Sequence, residues 1–220
     1  MKNSVRSFVR PRTRLSKTKK NLISQASSKE FCLSENFENF NERSLYKKNI
    51  LEIGFGDGEN LISNALNNLD SFYVGIEVYE AGVAKVLELI KKNNLENIFL
   101  IQGDAKAILE KNTTIKFFDE VIIFFPDPWP KRRHKKRRLL SNNFLDSLKM
   151  ILKDKSVLKI KTDWDDYAQQ IENDLNQIFS NTKKHINKKT DLFTKYEKTA
   201  IEEKRNIIYF EAYWARLTFF

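Results

Sequence analysis

Asp127 stands between two prolines in Phe124-Phe125-Pro126-Asp127-Pro128-Trp129-Pro130, and seven of the eight residues that follow, 131–138, are lysine or arginine. Proline fixes φ near about −65°, so one carboxylate and one indole are held on a stiff turn beside a concentrated positive field. Such a grouping suits a site that orients a reacting group with its carboxylate and grips phosphates with its cations. Plainer readings are a helix cap or simple turn for Asp127, an edge-packed aromatic for Trp129, and a solvated face or localisation signal for the cations. A second grouping lies upstream in Glu52-Ile53-Gly54-Phe55-Gly56-Asp57-Gly58-Glu59. Its glycines permit a tight turn and a close approach of backbone to ligand.

The upstream pattern is G-x-G-x-G, and Glu59 holds the place of the third glycine of a dinucleotide fingerprint. A carboxylate there repels a pyrophosphate. Glu52, Asp57, Glu59, Glu77 and Asp104 all fall at or just beyond the expected carboxyl ends of the first three strands, where they disfavour an anion and suit a cation. S-adenosylmethionine, with a sulfonium, an ammonium and no phosphate, is such a ligand. Glu77, 19 residues after Gly58, has the position of a carboxylate that accepts from ribose hydroxyls. Asp104, in Gln102-Gly103-Asp104-Ala105, is placed to accept from the adenine amino group, and Asp127 to stand beside the methyl group. The candidate cofactor set is therefore Glu52, Gly54, Gly56, Gly58, Glu77, Asp104 and Asp127. The competing reading is an ordinary strand-to-helix loop with solvated acids.

The elements that must position these groups follow from periodicity. Strands are expected over 49–55, 71–77, 98–103, 118–125 and 156–162, with a last, bent strand over 207–219. Helices are expected over 59–67, 80–93, 105–111, from a Ser141 cap to Leu152, and over 163–179. Residues 181–206 read as polar and basic, with a small island at 192–197. Strands alternating with helices imply a doubly wound, mostly parallel α/β sheet.

The chain of 220 residues has the size of one such domain. Its net charge of +10 is segregated: residues 1–20 hold eight basic residues and no acid, and the run 131–138 holds seven more. Removing those fifteen from the 39 basic residues leaves 24 against 29 acids, so the body is net negative. Two basic segments on an acidic body point to a polyanionic partner. Residues 1–20 are read as a basic flexible arm, either nucleic-acid-binding or a transit peptide, and 21–220 as a single domain. Cys32 is the only cysteine, which excludes an internal disulfide, and two histidines form no metal-ligand cluster, so no metal is expected. No apolar run approaches a membrane span. A soluble protein in a reducing, cytoplasmic setting is expected, as monomer or homodimer.

Phe125-Pro126-Asp127-Pro128-Trp129 followed by Lys131, Arg133-His134 and Lys136-Arg137-Arg138 resembles the signature of the bacterial tRNA (guanine-N7)-methyltransferase family. The likeness extends over residues 6–214. Arg6-Ser7-Phe8-Val9-Arg10 is similar to the family's N-terminal arm, Glu52-Ile53-Gly54-Phe55-Gly56 to its first motif and Gly75-Ile76-Glu77 to its second. Lys161-Thr162-Asp163-Trp164 and Thr194-Lys195-Tyr196-Glu197 resemble its later substrate motifs. One departure is that many relatives have a glycine shortly before the last strand, where this chain has Lys204-Arg205-Asn206.

The resemblance implies a Rossmann-like, seven-stranded S-adenosylmethionine-dependent methyltransferase fold, methyl transfer from S-adenosylmethionine to N7 of guanine 46 in the tRNA variable loop, and an arm that binds RNA. It implies a substrate side made of Lys131, Arg133, His134, Lys136, Arg137, Arg138, Asp163, Thr194, Lys195, Tyr196 and Glu197. Asp127 is the expected catalytic residue, with Asp163 and Glu197 able to share its task. The alternatives are methylation of an exocyclic base amino group and a non-catalytic RNA-binding protein. The former is disfavoured because Trp129 directly follows Asp127-Pro128 where that chemistry has a second proline.

Overall fold

The computed structural model describes residues 7–8, 15–26, 31–32, 45–111, 116–188 and 194–215. They fall into two compact units, one formed by Val9–Asn112 and the other by Met1–Phe8 with Thr113–Phe220. Of the segment expected as a basic arm, residues 1–6 and 9–14 lie outside the described residues. Its last part enters a helix.

In the Val9–Asn112 unit the elements are α1 (Lys17–Ser24), β1 (Phe31–Cys32), β2 (Lys48–Ile53), α2 (Glu59–Asn67), β3 (Ser71–Glu77), α3 (Glu80–Asn93), β4 (Ile98–Gln102) and α4 (Ala105–Lys111). Its strands run in the order β1-β4-β3-β2, and the pairings are parallel. β3 is buried along its whole length, which is why Ser71–Glu77 reads as a nearly continuous apolar run. Register places Glu52 opposite Gly75 and Glu77 opposite Gln102, so the acids expected at strand ends do lie at one end of this sheet. Gly75 is required by packing: a Cβ there would meet the side chains of Phe55 and Leu61 at 2.7–2.8 Å. α3 buries Val83, Val86, Leu87 and Ile90, the expected stripe, and ends on Asn94 in the left-handed conformation. The buried Asn97 amide is shared among the carbonyls of Ala65, Asn68 and Ser71 at 3.0–3.2 Å, tying the end of α2 to the start of β3.

In the second unit the elements are β5 (Phe118–Phe124), a 3-10 helix (Arg132–Arg137), α5 (Asn142–Ile151), β6 (Leu152–Thr162), α6 (Asp165–Ile178), β7 (Asn181–Ile186), α7 (Lys195–Glu202) and β8 (Ile208–Trp214). The strand order is β5-β6-β8-β7, with β5 and β6 parallel and β8 antiparallel to both of its neighbours. Three details differ from expectation. Strand β6 starts at Leu152, directly after α5, because its register with β5 jumps from Phe118–Leu152 to Glu120–Val157 and the surplus residues bulge out around Lys155 at φ 61°. Ser141 occupies the N-cap of α5, but its side chain makes no capping bond. The polar stretch after 180 contains an edge strand, β7, and a helix, α7.

The described residues hold eight strands, β1 and β7 being additional to the six placed along the sequence, in a sheet expected to have seven. The class is nonetheless the one foreseen, a doubly wound, mostly parallel α/β fold.

Candidate active site

The turn after β2 is built by three glycines, Gly54, Gly56 and Gly58, at φ of 76°, 56° and 78°. These angles cost other residues about 1 kcal/mol or more. The turn is closed by Gly54 N–H donating to Ile76 O and Gly58 N–H to Phe55 O, each at 2.8 Å. Glu77 is the post around which it folds. One carboxylate oxygen accepts from Gly56 N–H at 2.8 Å, and the other accepts from Val78 and Tyr79 N–H at 2.7 and 3.0 Å. Two orders of structure thus depend on one carboxylate: the loop's shape and the start of α3.

Gly82 completes this arrangement and was not singled out from sequence. A Cβ on it would sit 2.2 Å from the Gly56 carbonyl oxygen and 3.7 Å from Glu77 Cγ, so only glycine lets the first turn of α3 touch the loop. A glycine inside a helical pattern was the available signal.

Glu52 is buried and accepts from the Asn60 side-chain amide at 2.8 Å. Burial pushes its carboxyl up to about 8, with the Asn60 bond opposing and the Glu77 charge adding. An acid in this condition carries a proton at neutral pH until a cation arrives to stabilise its charge. Asp104 caps α4: its side chain accepts from Lys106 N–H and its carbonyl from Ile108 N–H, both at 3.0 Å. Asp57 is exposed and paired with Lys85 at 3.0 Å. Glu77 is thus hydrogen-bonded to the glycine turn and Glu52 to Asn60, two buried acids at one end of the parallel strands, whereas Asp57 and Glu59 are exposed. An ammonium or sulfonium fits this donor-poor, acid-rich set, and a pyrophosphate does not.

In the second unit, β5 hands over to the reactive turn where Phe125 N–H donates to Lys161 O at 2.8 Å. Phe125 and Trp129 both have positive φ, 51° and 44°, on either side of Pro126-Asp127-Pro128. Bulky residues hold such angles only where surroundings over-determine them, at a cost of about 1–3 kcal/mol each. The surroundings are visible. Phe125 stacks on Tyr196 at 5.9 Å between centroids. The Trp129 indole N–H donates to Ser7 O at 3.0 Å, the Arg137 guanidinium lies 4.9 Å from the ring centroid, and His134 meets the ring edge-on at 5.8 Å. Asp127 is carried at the exposed tip.

The basic run is not uniform. Lys131, Arg132, Arg133 and Lys136 are exposed, whereas Arg138 is buried at 2% exposure. Arg138 donates to Pro128 O at 2.9 Å and to the Gln170 side chain at 2.8 Å, pairs with Asp166, and covers the Tyr167 ring at 4.6 Å. Its expected place among the phosphate-gripping cations is not what the structure gives it, because the guanidinium is turned inward and braces the turn from beneath. Lys135 pairs with the same Asp166 at 2.7 Å. His134 Nε2 accepts from Arg133 Nε–H at 3.3 Å, and burial with the cations around it holds the imidazole below its usual range, so it is neutral at pH 7.

The later motifs also divide. Glu197 and Thr194 are buried in a reciprocal capping box: Thr194 N–H donates to Glu197 Oε2 at 2.9 Å and Glu197 N–H to Thr194 Oγ1 at 3.3 Å. The other oxygen of Glu197 binds the buried Lys161 ammonium at 2.7 Å. These two residues fix the start of α7, and so the aim of Lys195 and of Tyr196, which is 58% exposed. Asp163 is held by Arg205 at 2.9 Å, and Arg205 also binds Glu203 at 2.8 Å. The departure at 204–206 has a structural answer: Lys204 takes φ 55°, the angle a glycine would take, and the chain turns there through Arg205 N–H to Ala200 O at 2.8 Å.

Among the described residues no His, Cys, Asp and Glu side chains are grouped to hold a metal ion, and no helix is long and apolar enough to cross a membrane.

A family model described as putative methyltransferase matches residues 46–210. A tRNA (guanine-N(7)-)-methyltransferase of Nitrosococcus oceani is 46% identical over 128 residues, covering 58% of this chain and 54% of that one. The enzyme of the same name from Buchnera aphidicola is 40% identical over 187 residues, covering 83% and 75%. The chain spans between about half and three fifths of the length of the first curated relatives it matches. Among solved structures, an antibiotic-related methyltransferase superposes with a TM-score of 0.57 at 18% identity, covering 83% of this chain and 94% of that one, a likeness of fold. The chain belongs to the bacterial tRNA (guanine-N7)-methyltransferase family.

Proposed function

We propose that the protein methylates N7 of a guanine in tRNA, position 46 of the variable loop, with S-adenosylmethionine as donor, in the cytoplasm. The observation that carries this reading is the pair of buried acids, Glu52 on the Asn60 amide and Glu77 on the glycine turn, in a chain that also presents Asp127 beside exposed Lys131, Arg133 and Lys136.

When bound, the cofactor supplies a methyl group activated by a sulfonium. Glu52 would lose its proton and face the ammonium, Glu77 and the glycine turn would hold the ribose end, and Asp104 the adenine. Guanine N7 already carries an in-plane lone pair, so no side chain has to act as general base. The work left to the protein is alignment and support of positive charge on the purine. Asp127 suits both, accepting from the N1/N2 edge or standing beside the charged ring. The capping box and Phe125 hold Tyr196 in place for a base to meet, and Lys131, Arg133 and Lys136 neutralise phosphates.

The test is incubation with labelled S-adenosylmethionine and tRNA, followed by nucleoside analysis. Label in 7-methylguanosine is expected, and it disappears with a transcript lacking guanine at position 46. Label in an N2- or N6-methylated base, or none at all, refutes the reading.

A further inference from the structure

Lys161, the penultimate residue of β6, is paired in register with Phe124 of β5 on one side and Tyr209 of β8 on the other. The segment it opens resembles a substrate motif, yet only 4% of Lys161 is exposed, so its ammonium is not offered to a phosphate. The ammonium lies 4.5 and 5.9 Å from the ring centroids of Phe124 and Tyr209 and 2.7 Å from a Glu197 carboxylate oxygen. Glu197 is buried too, and its second oxygen belongs to the capping box of α7. Tyr196, its neighbour in the first turn of that helix, stacks on Phe125, and Phe125 N–H donates to the Lys161 carbonyl. The contacts run in a circuit that begins and ends on Lys161: carbonyl to reactive turn, turn to Tyr196, helix start to Glu197, carboxylate to ammonium. A well-packed apolar pair of similar volume is often as stable as a buried ion pair, so direction explains these charges better than stability does.

We propose that Lys161 is a positioning residue for methyl transfer: its buried ion pair sets the Tyr196 ring against the reactive turn, so that this ring and Asp127 keep one relation. The inference rests on the reading of the protein as a tRNA methyltransferase. Phosphate contacts by the exposed Lys131, Arg133 and Lys136 do not pass through the circuit, so tRNA affinity and turnover are separable. With the tie broken, α7 keeps its capping box but loses its hold on β6, and the base is met in a wider spread of poses.

The experiment uses two variants of the full-length chain. Lys161→Met removes the ammonium and keeps an unbranched side chain; Lys161→Met/Glu197→Gln leaves no lone charge in the interior and retains a glutamine for the capping box. Both lower kcat for tRNA methylation by roughly ten- to a hundredfold, the cost of misplacing reacting groups by about 1 Å, while dissociation constants for tRNA and S-adenosylmethionine stay as in the parent. Added to Tyr196→Ala, the double variant lowers kcat no further, because Lys161 acts through that ring. Amide exchange over 194–202 quickens in both variants. Should Lys161→Met not fold, the double variant carries every readout. Full kcat in the double variant, a tRNA dissociation constant that rises in step with the loss of turnover, additive loss with Tyr196→Ala, or unchanged exchange overturns the proposal. Quickened exchange in a protein that methylates no tRNA keeps the tie and refutes the function on which its purpose depends.

Discussion

Replacing Glu52 by Gln separates the two consequences of a buried acid. Burial raises the Glu52 carboxyl from its ordinary value of 4.5 to about 8. The unfolded chain therefore ionises this group well before the folded chain does. Its contribution to stability is complete below about pH 4.5 and is lost progressively as pH rises through about 8. At pH 7 the loss spans about 2.5 pH units at roughly 1.36 kcal/mol each, an upper figure of about 3 kcal/mol. Glutamine keeps an oxygen for the Asn60 amide and has nothing to titrate. Urea denaturation should show the variant and the parent equally stable near pH 4.5, with the variant ahead by up to about 3 kcal/mol at pH 7. The same change should weaken S-adenosylmethionine binding by about ten- to a hundredfold, the worth of a charged hydrogen bond. In the parent, binding should strengthen as pH rises toward 8 and release a proton at pH 7, measured by calorimetry in buffers of different ionisation heat. Parallel stability curves and equal proton release in parent and variant would refute the reasoning.

Gly82→Ala puts a methyl 2.2 Å from the Gly56 carbonyl oxygen and should cost about 1–3 kcal/mol of stability and at least tenfold in S-adenosylmethionine affinity, read by thermal melts and titration calorimetry. Arg138→Ala removes a buried brace and should destabilise by about 3 kcal/mol in urea titrations, whereas Lys136→Ala should leave the melting temperature in place and lower the salt slope of tRNA binding by about 1. Asp127→Ala should abolish methylation in the labelled-cofactor assay while tRNA and cofactor binding persist, since its carboxylate stands exposed at the tip of the turn.

Burial decided how much of this was legible beforehand. β3 and β5 are largely enclosed by protein, so their apolar runs announce them, and α3 shows its stripe because one face alone is buried. β7 could not be seen: Asn181-Thr182-Lys183-Lys184-His185-Ile186 is an edge strand whose lysines suit an edge, and no face of it alternates. Glu77 was found by its distance from the glycines, but nothing in that spacing tells that its oxygens would be occupied by three backbone N–H groups. Arg138 looked like its six basic neighbours because composition carries no direction. The Asp166 and Gln170 that turn it inward lie about thirty residues on, in α6. Thr194 and Glu197 did carry a local signal, the spacing of a capping box, which the substrate motif obscured.

Phe125 and Trp129 hold the Asp127 turn at angles that an isolated peptide of the same sequence would abandon. The shape belongs to its clients: the Lys161 carbonyl, the Tyr196 ring, the Ser7 carbonyl and the Arg138 brace. A selection for heat resistance alone would accept residues at 125 and 129 that relax the backbone, and each such gain would let Asp127 wander. In this turn, directed evolution for stability and for turnover pull in opposite directions.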